Sequence, residues 1–254
     1  MTDEARASEP ANRDSQLLPW ADKLLFQKLF SRQAMRSYLY LSFGMGLVAF
    51  LLPVALVVAS GYRGHYSISF FYHVGDLSRN ILVGCLWATG VFLFLYQGLS
   101  RWENWILNVA GVAAIGVAMF PMPPEQCGSG SSITLHALSA IVFFVCLAIV
   151  AIGFSKTRIQ FIIYPPKRRR FKIAYNVAGL AMVAMPAAVF ALHVLGGRRC
   201  ESHWIFWVEV FGIWAFALYW FVKTAEYKIL LRVKWLPTEA ERRQRAKARA
   251  RKPA

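Results

Sequence analysis

Hydrophobic residues in this chain come in long uninterrupted blocks rather than alternating or recurring every third or fourth position. Residues 41–60 contain no Asp, Glu, Lys or Arg, and neither do residues 80–100. Such blocks, bounded by charged or Pro/Gly-rich breaks, predict six helices over 41–60, 79–98, 105–121, 133–154, 173–195 and 203–222. Each approaches the ~20 apolar residues needed to cross ~30 Å of hydrocarbon. Barrel strands would alternate apolar and polar positions, so the pattern predicts an all-α fold, a six-transmembrane-helix bundle. Composition agrees: of 254 residues, 57% are hydrophobic and 17% charged, against roughly 45–50% and 25% in soluble domains. That all but excludes a soluble enzyme.

The flanks differ from the membrane domain, which the pattern places at 39–225. Residues 1–16 are polar and aperiodic and are expected to be disordered. Over 17–38, Leu17, Leu18, Trp20, Leu24, Leu25, Leu29 and Phe30 interleave with Lys23, Gln27, Lys28, Ser31 and Arg32. That spacing predicts an amphipathic helix lying in the cytoplasmic interface as an anchor. The first apolar block starts too far into the chain and lacks a small-residue cleavage site, so it reads as a retained span rather than a signal peptide. Pro53 and Pro186 fall inside spans and should kink them. Ala110, Ala114 and Ala118, with Gly111 and Gly116 beside them, let a neighbouring helix approach the third span closely and argue for a central position. No inverted repeat of the kind transporters use is visible.

Charge supplies orientation. The formal net charge is +16, and 25 of the 29 Lys and Arg fall on one side of the six-span arrangement; Arg63, Arg79, Arg198 and Arg199 occupy the other. The asymmetry puts both termini and the 155–172 loop in the cytoplasm. The Arg-rich loops and compact length point to a bacterial inner membrane. The basic tail, 226–254, has no aromatic interleaving, so anionic membrane lipid rather than nucleic acid is its expected partner. Cys127 and Cys200 lie in external loops and are expected to form a disulfide, whereas Cys85 and Cys146 sit within spans as small apolar residues.

Polar chemistry collects on the external side. All five histidines, His65, His73, His136, His193 and His203, map to external loops or outer span ends, together with Asp76, Glu125 and Glu201. Glu209 lies roughly two turns inside the last span, a costly depth that marks a site by default. Asn108 and Asn176 read as interhelical hydrogen-bonding residues. In Ser67-Ile-Ser-Phe-Phe-Tyr-His-Val-Gly-Asp-Leu-Ser-Arg79, Asp76 or Ser78 can cap the second span while Arg79 snorkels to headgroups. The functional reading gathers Ser69, His73, Asp76, His136 and His193 in an external polar cavity. Within it His73, His136 and His193 plus a carboxylate could hold Zn²⁺ and activate water. No HExxH, HxxxH or CxxC spacing accompanies them, and no cofactor is otherwise indicated.

The 67–79 segment, Phe120-Pro121 ending the third span, His136 opening the fourth, and Trp204, Trp207 and Glu209 in the sixth make the chain resemble the FRAG/DRAM/Sfk group of six-span membrane proteins. It resembles still more the bacterial six-span proteins described only as a domain of unknown function. The resemblance covers roughly residues 40–225 and implies six helices, cytoplasmic termini and a role in lipid handling or membrane regulation. Ser69, Asp76 and His136 are the positions that transfer best. The sixth span departs from the group, where an acidic residue is directly followed by Trp; here Trp207 precedes Glu209. Ser69, His73 and Asp76 are also similar to the Ser/His/Asp metal sites of alkaline-ceramidase-type lipid hydrolases, without their HxxxH pair. The leading expectation is a non-enzymatic lipid-headgroup binder or membrane regulator. Its alternatives are a metal-dependent lipid hydrolase using the same residues, and a transporter depending on Glu209.

Overall fold

A computed structural model describes residues 18–61, 67–98, 100–122, 134–155, 165–195 and 203–232. The described residues are helical without a strand: α1 Leu18–Ser60, α2 Phe71–Val74, α3 Asp76–Leu95, α4 Arg101–Met119, α5 Leu135–Ile149 ending in a π-helical turn Val150–Phe154, α6 Pro165–Leu195 and α7 His203–Arg232. The six long helices run alternately up and down and pack as a ring in the order α1, α3, α4, α5, α6, α7 and back to α1, with short α2 lying on α3. Side chains fill the interior, among them Met45, Leu107, Leu147, Phe216 and Trp220. One end of the ring gathers the start of α3, the end of α4 and the start of α5; it is called here the histidine end, and the opposite one the tyrosine end.

Among the described residues, five segments have the length and apolar composition to cross a membrane: Gln33–Ser60, Asp76–Leu95, Leu135–Phe154, Arg168–Ala188 and Trp204–Leu231. The sixth long helix, α4, falls outside that set because Arg101, Glu103, Asn104 and Asn108 crowd its first two turns. Large apolar side chains face outward around the ring, including Phe50, Val58, Phe94, Val112, Ile141, Leu180 and Phe211. A water-soluble bundle would not expose apolar surface on every helix, whereas a bilayer makes that surface neutral.

Where the sequence pattern places an interfacial helix before a separate first span, the structure has a single 43-residue helix. No Gly or Pro separates 20 from 40, so nothing local breaks it, and Pro19 sits in the first turn, where its missing N–H costs nothing. The helix ends at Gly61, whose φ of 72° lets its N–H close on the Val57 carbonyl at 2.8 Å. Both α1 and α6 continue through their internal prolines, Pro53 and Pro186.

The small residues of α4 face its neighbours: Ala110, Ala114 and Ala118 are buried. At the α3–α4 crossing a Cβ on Gly90 would lie 2.8 Å from the Gly111 carbonyl oxygen, and one on Gly111 would lie 2.7 Å from that of Gly90. Two backbones touch there, which only paired glycines allow. Rather than occupying a centre, α4 holds a place in the ring between α3 and α5.

Candidate functional site

At the histidine end the segment before α2 is a tight turn with its amides engaged. Ser67 Oγ accepts the Phe70 N–H at 3.1 Å. The Phe71, Tyr72 and His73 amides donate to the carbonyls of Ile68, Ser69 and Phe70. Phe71 and Ile68 are buried and pack in a cluster with Leu52, Leu56, Leu82, Phe206 and Val210, which pins the turn onto the ring. Glu209 of α7 reaches up to accept the Ile68 N–H at 2.5 Å. This bond to backbone offsets part of the cost of placing a carboxyl group two turns into the bundle.

The turn delivers Ser69 to His136. Ser69 Oγ lies 2.9 Å from His136 Nε2, and His136 Nδ1 lies 3.0 Å from the Phe120 carbonyl oxygen just past α4. A carbonyl can only accept, so Nδ1 carries the proton and Nε2 presents its lone pair to the Ser69 hydroxyl. The ring is oriented from its own helix as well, because Thr134 caps α5 by accepting the Ala137 N–H at 3.2 Å. Ser69 and His136 are half-buried, while Met119, Phe120 and Leu135 beside them are exposed. A polar pair therefore opens onto apolar surface at the helix ends.

The other residues singled out from the sequence scatter. His73 is exposed and its Nε2 donates to the Met122 carbonyl at 2.7 Å. Asp76 opens α3 and pairs with Arg79 on the exposed rim; Arg79 also lies 5.7 Å over the Tyr72 ring. No side chain caps α3, so the capping role expected of Asp76 or Ser78 is not what the structure has; Ser78 is buried instead. His193 is in the last turns of α6, but its side chain lies outside the described residues, as do His65, Glu125, Glu201 and the expected Cys127–Cys200 disulfide. Among the described residues no three His, Cys, Asp or Glu side chains stand close enough to share a metal ion. Both ring nitrogens of His136 are engaged by protein, so zinc ligation there would first break the Ser69 or Phe120 bond. Asn176 makes no interhelical bond through its side-chain oxygen, which is buried without a partner among the described residues.

A second polar cluster, at the tyrosine end, escaped the sequence reading. Lys223, Glu226 and Glu103 are 0%, 1% and 2% exposed. Lys223 Nζ is 4.0 Å from Glu103 Oε1 and 3.4 Å from the Tyr219 hydroxyl. It also sits 5.7 and 5.5 Å over the rings of Tyr175 and Tyr219. Tyr175 donates to Glu226, Tyr96 and Tyr227 share a 2.7 Å hydroxyl contact, and the π-helical turn aims Ser155 at Tyr219, 3.3 Å away. One face of α7 thus reaches α3, α4, α5 and α6 across the ring. The apolar pattern ends the last span at residue 222 and puts Lys223 among the cytoplasmic charges beyond it. The buried stripe instead continues at helical spacing through Phe216, Trp220, Lys223 and Tyr227. That continuity, with no Gly or Pro before Pro237, is the signal that could have found it.

Comparison with protein-family models, curated proteins and solved structures finds no match to this chain.

Proposed function

We propose that this chain is a six-span protein of a bacterial inner membrane, with both termini in the cytoplasm, that binds a phospholipid headgroup at its outward-facing histidine end. α4, 19 residues long and packed between two apolar helices, serves as the sixth span. The reading rests on one observation: Ser69 and His136, 67 residues apart in sequence, meet at 2.9 Å where helix ends border exposed apolar surface. That is the level at which lipid headgroups meet acyl chains. The rim pair Asp76 and Arg79 offers opposite charges to a zwitterionic headgroup, with Arg79 on the phosphate and Asp76 on the ammonium. A lipid-handling role agrees with the FRAG/DRAM/Sfk resemblance.

The test is lipid and elemental mass spectrometry on protein purified in mild detergent without chelator. Enrichment of one phospholipid class without metal is expected; Arg79→Ala should lower its retention ~10-fold, about the worth of one hydrogen bond to a charged group, and His136→Ala should lower it through the Ser69 contact it holds. Stoichiometric zinc lost in His73→Ala or His136→Ala would replace this reading with metal-dependent lipid hydrolysis. Equal lipid retention in folded His136→Ala protein would remove His136 from the site.

A second reading, transport, is favoured by the ionisable residues that α7 carries inside both ends of the ring, half-buried Glu209 at one and buried Lys223 and Glu226 at the other. Its test is solute flux into proteoliposomes, with a flux that Glu209→Gln abolishes as the supporting result.

A further inference from the structure

We propose that Ser69 is a nucleophile, activated by His136, toward a carboxylic ester of a glycerolipid; this rests on the headgroup-binding reading above. Three features of the site go beyond what holding a headgroup requires. First, the Ser69 hydroxyl faces an imidazole nitrogen with a free lone pair at 2.9 Å, the nucleophile-to-base geometry of serine acyl transfer. Second, the far nitrogen is held at 3.0 Å by the Phe120 carbonyl. That carbonyl keeps the imidazole in the tautomer that can accept the serine proton, the task a carboxylate performs in a triad. Third, the pair sits at the helix ends beside exposed Met119, Phe120 and Leu135. The ester carbonyls of a bilayer lipid lie at that depth, just below its headgroup. No metal enters the scheme, which distinguishes it from zinc-dependent hydrolysis.

In the reaction Ser69 Oγ bonds to the ester carbonyl carbon as its proton passes to His136 Nε2. The ester C–O bond breaks, and the leaving alcohol takes that proton from His136. Water at the membrane surface then attacks the acyl-Ser69 bond with His136 again as base, releasing the fatty acid and restoring the serine. The amides of Ile68, Phe70, Phe71, Tyr72 and His73 are all spent on Glu209 or on the turn itself. The turn therefore supplies no oxyanion donor from these positions, and one such donor is worth ~10²–10³ in rate. Turnover is accordingly expected to be slow, and a covalent probe is a better readout than product.

The experiment treats the full chain in mild detergent with an alkyl fluorophosphonate, whose fluoride leaves as Ser69 Oγ bonds to phosphorus, and maps the adduct by peptide mass spectrometry. Co-purified lipid is measured on the same sample. The expected result is an adduct on Ser69, absent in Ser69→Ala and formed ~10²–10⁴-fold more slowly in His136→Gln, as loss of a general base predicts. Ser69→Ala removes one half-buried hydroxyl and is expected to retain the fold, so loss of the label in it assigns the nucleophile even if His136→Gln does not fold. Lipid retained without any adduct on Ser69 overturns the nucleophile and leaves headgroup binding standing. An adduct with no enriched lipid supports the nucleophile and overturns the headgroup reading, and neither signal overturns both. An adduct on Ser69 formed equally fast in folded His136→Gln protein also overturns the proposal, since the serine would then react without its base.

Discussion

Lys223→Met is expected to destabilise the folded protein by about 3–5 kcal/mol, the cost of stripping one partner from a buried ion pair. The side chain is 0% exposed and methionine nearly matches its volume, so the loss is electrostatic rather than a cavity. Its removal takes the ammonium away from Glu103, 2% exposed, and from the two tyrosine rings that Lys223 lies over. The measurement is the unfolding midpoint in a denaturing-detergent titration of the purified protein, against wild type. Adding Glu103→Gln to Lys223→Met should recover part of the loss, because the carboxylate that faced the ammonium is then neutral. A double variant whose loss equals the sum of the two single losses would show that the 4.0 Å pair is not energetically coupled. The pair joins α4 to α7 across the ring, so its loss should also loosen the tyrosine end more than the histidine end. Faster hydrogen exchange confined to the first turns of α4 and the last turns of α7 would register this.

Gly111→Leu is expected to have an effect of similar size by a different route. A Cβ at this position meets the backbone carbonyl of Gly90 at 2.7 Å, and backbone cannot swing aside as a side chain can. The two helices must separate along their contact, with losses at or above the upper end of the ~1–3 kcal/mol usual for overpacking. Val112→Leu, one position along on a face that is 65% exposed, should be neutral. Thermal unfolding of both variants in one detergent makes the comparison. If Gly111→Leu melts with wild type, the glycine contact between α3 and α4 is not where the helices are closest.

Glu209 and Lys223 illustrate how far a linear pattern reaches. Glu209 stood out in the sequence because a carboxylate inside an apolar block is costly wherever the block lies. Its partner did not, because the Ile68 N–H it accepts is a main-chain group 141 positions away that no side-chain pattern encodes. Lys223 was passed over for the converse reason: next to a basic tail, a lysine reads as the start of solvent-facing chain. Only the crossing of α7 past α4 makes it an interior residue. His73 and Asp76 drew notice through proximity in sequence to Ser69, yet the turn at 67–70 and the opening of α3 leave both exposed at the rim.

The helical class and the apolar segments were legible from the residues alone, since whether a stretch is stable in hydrocarbon depends on its own side chains and on hydrogen bonds made within it. The meeting of Ser69 with His136 and of Glu103 with Lys223 was decided by tertiary structure. Those pairs join elements far apart in sequence, and their distances depend on which faces of the helices touch. That choice is made by packing between neighbours, such as Gly90 on Gly111, whose complementarity exists only when both surfaces are present.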